Sequence, residues 1–133
     1  MKQAAKKYLG THNFKNFCKV DPSKTVNYMR TILDIDISEV ERSLDLNCDM
    51  YVINLKGTAF LWHQVRCMAA VLFKIGNLEA PTDCIDHMLD VSNCTLKPSY
   101  QMAKDEPLVL YHCEFKDLLF RPLTHIGMRF VLL

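Results

Sequence analysis

The sequence predicts an α+β fold, an antiparallel sheet with helices packed on one face. Strand-like sequence occurs in two successive segments, 25–40 and 50–57. Two helical segments follow at 58–75 and 82–91, and a third strand pattern lies at 108–115. The order β, β, α, α, β is typical of an antiparallel sheet covered by helices. A chain of 133 residues is long enough for one domain that buries about two-thirds of its unfolded surface.

The chain opens with a short helix predicted over Lys2–Leu9, which Gly10 ends. Residues 11–24 are mostly polar, contain two phenylalanines, and predict a loop. The strand within 25–40 rests on Ile35 and Ile37, which alternate with aspartate and serine, the period of a half-buried strand.

A turn at Asn47–Asp49 leads to the second strand, which we expect to be antiparallel to the first. The long helix lies between Gly57 and Gly76, and Pro81 opens the next one. Residues 92–107 form a connection before the third strand. We divide the chain into a domain over 1–116 and a tail over 117–133, which is either an added edge strand or a segment whose continuation is missing.

Charge is distributed unevenly along the chain. The formal net charge is only +1, but residues 1–30 hold seven basic residues and one acid. This basic end is suited to a polyanion such as RNA. The alternative interpretation is a solvated, lysine-rich terminus.

Apolar runs and cysteines indicate the compartment. No apolar run reaches the roughly 18 residues that span a membrane, and the N-terminus lacks the apolar core of a secretory signal. We therefore expect no membrane partner. The six cysteines are predicted to be free thiols of an intracellular protein, in the nucleus, the cytoplasm or both. Cys84 and His87 are spaced as a zinc fragment, but packing is the favoured interpretation, and no metal is expected.

Arg66 is the unusual residue of the long helix. At 100° per residue it shares a face with Trp62, Ala70 and Phe73, opposite an apolar face. We expect both faces to be covered, so that the guanidinium needs an anionic partner. An active-site or phosphate-binding arginine and a snorkelling surface arginine both fit this spacing. On spacing alone, Trp62 and Phe73 favour packing over base stacking. The apolar face consists of Leu61, Gln64, Met68, Leu72 and Ile75.

Three blocks of sequence together resemble one family. They are GTHNFKNFCKVD (10–21), GTAFLWHQVRCMAAVLFKIG (57–76) and KPSYQMAKDEPLVLYHCEF (97–115). In this order they resemble the C-terminal half of the catalytic domain of TruA-type tRNA pseudouridine synthases, in the eukaryotic 38/39 branch. The resemblance implies an isomerase that turns uridine into pseudouridine in the tRNA anticodon stem-loop. It implies a homodimer, tRNA as the partner, and no cofactor.

The resemblance also implies roles for single residues. Arg66 matches the arginine that pairs with the family's catalytic aspartate, where it orients the carboxylate and keeps it ionised. Leu108 matches an aliphatic position beside the target base. Asn13 departs from the aspartate usual in the family. The implied RNA-binding residues are His12, Asn13, Phe14, Lys15, Phe17 and Lys19.

The family's aspartate belongs to a G-R-T-D-type motif, and these 133 residues contain no such motif. We therefore expect a partial catalytic domain that is inactive without the N-terminal half. One alternative is a non-catalytic module that binds tRNA or other RNA. Another is a structural or dimerisation unit in which Arg66 pairs with an internal acid such as Asp34 or Glu114.

Overall fold

A computed structural model describes residues 1–20, 23, 25–40, 49–114 and 128–132. Its helices are α1 (Lys2–Lys6), a 3-10 turn (Lys15–Phe17), α2 (Gln64–Gly76) and α3 (Cys84–Leu89). Its strands are β1 (Gly10–Asn13), β2 (Met29–Glu39), β3 (Tyr51–Gly57), β4 (Leu108–Cys113) and β5 (Met128–Leu132). The strands form one antiparallel sheet in the order β1-β2-β3-β5-β4. The predicted α+β class is confirmed.

Strand β2 carries the core side of the sheet. Ile35 and Ile37 are buried, as their alternation with polar residues predicts. Ile32 is buried too, although it lies three residues from Ile35. The register with β3 shifts between Ile32 and Asp34, and such a bulge returns the next side chains to the same face. The turn predicted at Asn47–Asp49 begins outside the described residues.

The long helix is shorter than predicted. Helix α2 begins at Gln64 rather than at residue 58, because His63 has a left-handed backbone with φ 61°. A left-handed residue cannot continue a right-handed helix. Before it, the Leu61 N–H donates to Gln64 Oε1 at 2.8 Å and the Gln64 N–H donates to the Leu61 carbonyl at 3.0 Å. Helix α3 is likewise confined to the middle of the predicted 82–91.

The first twenty residues also differ from the prediction. Helix α1 ends at Lys6, and the predicted loop over 11–24 contains most of β1 and the 3-10 turn. Strand β1 forms because it pairs with β2, with Gly10 opposite Ile32 and Asn13 opposite Met29. Local sequence carries no sign of this long-range pairing.

The tail contributes an interior strand. Strand β5 pairs with β3 on one side and with β4 on the other, so it is not the added edge strand that was one of two expectations. Residues 115–127 lie outside the described part.

The described cysteines are free, and Cys18, Cys67 and Cys94 are buried. Within the described ranges, no cluster of histidines, cysteines and acids is arranged to hold a metal. None of the helices in those ranges combines the length and apolarity that crossing a bilayer requires.

Candidate substrate site around Arg66

Arg66 and Leu108 line the same cavity, of about 150 Å³. Arg66 comes from the first turn of α2, and Leu108 is the first residue of β4. The fold therefore brings together two candidate site residues that are far apart in the sequence. The remaining lining residues are Phe60, Leu61, His63, Gln64 and Val65.

The guanidinium of Arg66 is held on one side and open on the other. Its Nε donates to the Ala103 carbonyl at 2.7 Å, and the Ala103 N–H donates to the Arg66 carbonyl at 3.3 Å. Its Nη2 lies 3.6 Å from Oδ1 of Asp105. The Arg66 side chain is 19% exposed, whereas that of Asp105 is 74% exposed. Such an ion pair with an exposed partner is weak, so another carboxylate can replace Asp105.

The internal acids considered in the sequence analysis are not the partners of Arg66. Asp34 is exposed on β2. Glu114 pairs with Lys56 at 2.8 Å, and its side chain is only 9% exposed. The anion that faces Arg66 is instead Asp105, which belongs to the connection before β4.

Only one face of α2 is fully covered. Gln64, Met68 and Leu72 are buried as predicted. On the face of Arg66, Ala70 is buried and Phe73 is 41% exposed. The expectation that both faces would be covered therefore holds for most of the helix, in which nine of thirteen residues are buried, and fails at Phe73. Trp62 precedes the helix and is 56% exposed, so its interpretation as a packing residue is wrong.

His63 connects the cavity to the exposed surface. Its Nδ1 lies 3.2 Å from Sδ of Met102, and its ring centroid lies 4.7 Å from that of Trp62. Partial desolvation lowers the pKa of His63, and the nearby cations Arg66 and Lys19 lower it further. The imidazole is therefore biased towards its neutral form.

The two phenylalanines of the 10–21 block are core residues. Phe14 and Phe17 are both fully buried, and they pack in an aromatic cluster with Tyr8. Their side chains therefore have no surface that RNA can touch, which corrects the contact role assigned to them. They hold the loop in place.

The polar residues of this block remain accessible to different degrees. His12, Asn13 and Lys15 are half-buried, and Lys19 is exposed. Asn13 Oδ1 accepts the Lys15 N–H at 3.1 Å, so asparagine supplies the hydrogen bond that an aspartate would make there, without the charge. His12 Nε2 lies 2.7 Å from the Leu9 carbonyl.

Sequence reasoning missed Asn16, which is fully buried. Its Nδ2 donates to the Met88 carbonyl at 3.0 Å and to the Cys94 carbonyl at 2.8 Å. The Tyr100 hydroxyl donates to the Asn16 carbonyl at 2.7 Å. The sequence carried only a weak signal, an asparagine between two phenylalanines, because the need of a buried amide for partners becomes evident only once the phenylalanines are known to be buried.

Lys19 joins the loop to the start of α2. Its N–H donates to the Trp62 carbonyl at 3.0 Å, and its Nζ lies 4.7 Å from the centroid of the Trp62 ring. The arrangement around the cavity thus combines a guanidinium, an apolar wall at Leu108 and an exposed basic loop. This is the composition of a site for an anionic substrate that carries an apolar ring.

Comparisons with known proteins agree with the family resemblance of the three sequence blocks. The model of the tRNA pseudouridine synthase family matches residues 4–116. A tRNA pseudouridine(38/39) synthase of Bos taurus is 41% identical over 124 residues, which cover 89% of this chain and 26% of that protein. The protein of the same name from Saccharomyces cerevisiae is 42% identical over 120 residues, with the same two shares. The tRNA pseudouridine synthase A of Methanocaldococcus jannaschii is 36% identical over 100 residues, or 75% of this chain and 36% of that protein.

The chain belongs to the tRNA pseudouridine synthase family. It spans about a quarter of the length of the curated 38/39 synthases that it matches.

Proposed function

We propose that this chain supplies the arginine side of the active site of a tRNA pseudouridine synthase, which isomerises uridine to pseudouridine in the anticodon stem-loop. The observation that carries the proposal is the shared cavity of Arg66 and Leu108 in a chain of this family. The names of the relatives, tRNA pseudouridine(38/39) synthases, support tRNA as the substrate.

The role of Arg66 is to hold the catalytic carboxylate. A guanidinium fixed through Nε presents its remaining N–H groups in one direction, and these bind a carboxylate with defined geometry. The positive charge also keeps the carboxylate ionised, as a nucleophile requires. The aspartate comes from the part of the protein that corresponds to the remaining length of the relatives. Asp105 takes its place beside Arg66 until that carboxylate arrives.

The apolar wall holds the base. Leu108 and Phe60 line the cavity beside Arg66, where they exclude water from a uracil ring and strengthen the electrostatic interaction of Arg66. The loop residues Lys15 and Lys19 contact backbone phosphates, with His12 and Asn13 beside them. Phe14 and Phe17 support this loop from the core.

The remaining catalytic domain packs against strand β4. Val109, Leu110 and Tyr111 are 43%, 52% and 67% exposed, a run of apolar residues that favours coverage by further chain. The homodimer expected from the family is part of this proposal. Light scattering of the complete protein tests it by giving twice the mass of one chain.

The decisive experiment places residues 4–116 in the S. cerevisiae relative, in place of its matching segment. We expect the chimera to form pseudouridine in an anticodon stem-loop, detected by mass spectrometry, and the 133-residue chain alone to form none. Arg66→Met should lower the chimera's activity by about 10²-fold or more. Lys74→Gln is the matched control, because Lys74 is exposed on the same helix. A folded chimera whose activity survives Arg66→Met contradicts the proposal.

A second function, a non-catalytic RNA-binding module, is favoured by one observation. Arg66 already has a backbone acceptor in Ala103 and an acidic neighbour in Asp105 without a catalytic aspartate. The module predicts that the chain alone binds tRNA and that affinity falls steeply with salt. The double variant Lys15→Glu, Lys19→Glu should abolish this binding without unfolding the chain. Unchanged binding by the double variant excludes the module.

A further inference from the structure

We infer that Trp62 and Lys19 form a binding surface for one unpaired nucleotide next to the target uridine, with the base on the indole and the phosphate on the lysine. This inference rests on the proposed function, because it names the part of the RNA that the same site receives. Trp62 is a positioning residue here, and it takes no part in bond making.

The indole is exposed although the surrounding sequence is apolar. Trp62 is 56% exposed, directly before a helix whose other face is buried. An exposed indole leaves a large apolar surface in contact with water, which is unfavourable unless something covers it. Every nucleobase has a flat face that stacks on such a ring. The exposed part of Trp62 is therefore aromatic surface that a base can cover, beside the contacts that the ring makes with Lys19 and His63.

Lys19 adds a cation to this surface. Its Nζ is 4.7 Å from the Trp62 ring centroid, and its N–H is bonded to the Trp62 carbonyl at 3.0 Å. The main-chain bond fixes the lysine beside the indole, whereas the ammonium group is exposed and able to reach a phosphate. Aromatic rings beside lysine are the usual means of binding single-stranded nucleic acid.

The surface adjoins the cavity. His63 lines the cavity with Arg66 and contacts the Trp62 ring, with 4.7 Å between centroids. The left-handed backbone of His63 turns Trp62 outwards while the next residue enters the helix. A nucleotide on Trp62 is thus next to the base in the cavity, so the inferred occupant is a flanking nucleotide in an unpaired loop.

The sequence provides its own probe, because Trp62 is the one tryptophan among the 133 residues. The 133-residue chain is titrated with a synthetic anticodon stem-loop, and tryptophan emission is followed. We expect quenching by the stem-loop and none by a fully paired RNA duplex of the same length. Absence of quenching by a stem-loop that binds, or equal quenching by the duplex, overturns the inference.

Variants separate stacking from charge. With fluorescein-labelled stem-loop, Trp62→Ala should weaken binding about tenfold or more and Trp62→Phe much less. Lys19→Gln should lower the slope of log affinity against log salt by about 0.7–0.9, the loss of one phosphate contact. Phe73→Ala and Lys74→Gln are the matched controls, an exposed aromatic and an exposed lysine on α2.

Equal affinity of Trp62→Ala and the unsubstituted chain, with circular dichroism showing both folded, overturns the inference. Failure of the unsubstituted chain to bind the stem-loop overturns the inference as well. These outcomes are separate from the test of the proposed function. That test measures whether the chimera forms pseudouridine and whether Arg66→Met removes this activity. An inactive chimera together with stem-loop quenching leaves a nucleotide-binding surface and removes the catalytic assignment.

Discussion

Arg66 Nη2 lies 3.6 Å from Asp105 Oδ1, yet the two side chains differ in exposure, at 19% and 74%. The pair is therefore a half-buried cation with a solvated partner, and the cation is held in place by Ala103 rather than by the acid. We therefore expect the guanidinium to keep its position when the acid leaves, as a site for an incoming carboxylate requires.

Asp105→Asn should change stability and activity only slightly. We expect the free energy of unfolding, measured by urea denaturation, to change by less than about 1 kcal/mol, because exposed ion pairs contribute little. Pseudouridine formation by the chimera should stay within about twofold, since a larger loss needs a group that acts in the transition state. The neighbouring exposed acid Glu106 provides the control Glu106→Gln. A large loss of activity for Asp105→Asn alone would assign Asp105 to the reaction.

Gly57→Ala should distort the cavity that Phe60 lines. A Cβ at Gly57 would lie 2.7 Å from Cζ of Phe60 and 3.1 Å from the Thr31 carbonyl oxygen. Phe60 lines the cavity, so its ring must move. We expect a destabilisation of about 1–3 kcal/mol, typical of overpacking, and lower activity of the chimera.

Gly76→Ala is the matched control for Gly57→Ala. The added Cβ would meet only the flexible side chain of Met1 among the atoms nearest to it. Alanine is the better helix former, so this variant should be neutral or more stable by up to about 1 kcal/mol. Equal losses for the two variants would contradict the assignment to Phe60.

Asn16→Ala should be strongly destabilising. It leaves the buried carbonyls of Met88 and Cys94 without their donor, at about 1–3 kcal/mol for each unsatisfied group. Asn16→Asp should be worse at neutral pH, because a carboxylate has no N–H to give. Its deficit should shrink as pH falls, since the protonated acid regains one donor. The exposed Asn77→Ala should stay within about 0.5 kcal/mol, as is usual at the surface.

His63 should titrate below the ordinary histidine pKa of about 6.5. Desolvation is the main cause, followed by Arg66 and Lys19, so Arg66→Met should raise the pKa of His63 in an NMR titration. Between the lowered pKa and 6.5 the unfolded chain binds more protons than the folded one. Stability from this group is therefore complete above about pH 6.5 and declines as pH falls towards the folded pKa. A pKa above 6.5 in the unsubstituted chain would contradict this.

His63→Gln should remove this part of the acid sensitivity of unfolding. The expected result is a shallower slope of stability against pH below about 6.5, measured by denaturation at several pH values.

Sequence patterns predicted the features that depend on residues close together in the chain. The alternation of Ile35 and Ile37, the apolar face of α2 and the singular position of Arg66 follow from sequence period, and the structure contains them. The partner of Arg66 did not follow, because Asp105 reaches it through the fold of a connecting segment.

Three further features depend on contacts distant in sequence. Strand β1 exists through pairing with β2, and β5 through pairing with β3 and β4. The burial of Phe14 and Phe17 depends on Tyr8 and α2 packing over them, so an aromatic pair in a polar loop looked exposed. The left-handed His63 is equally invisible to helical periodicity.

Strand β5 makes the sheet beside the cavity depend on residues that follow every cavity-lining residue in the chain. It lies between β3 and β4, and its backbone is what joins Leu108 and the rest of β4 to the other three strands. Antiparallel neighbours are about 4.8 Å apart, so without residues 128–132 the gap between β3 and β4 is the width of a strand and both carry unpaired backbone groups. We therefore expect β4 to gain its strand partner only after translation has passed well beyond every residue that lines the cavity, and Leu108 to rest until then on its contacts with the core.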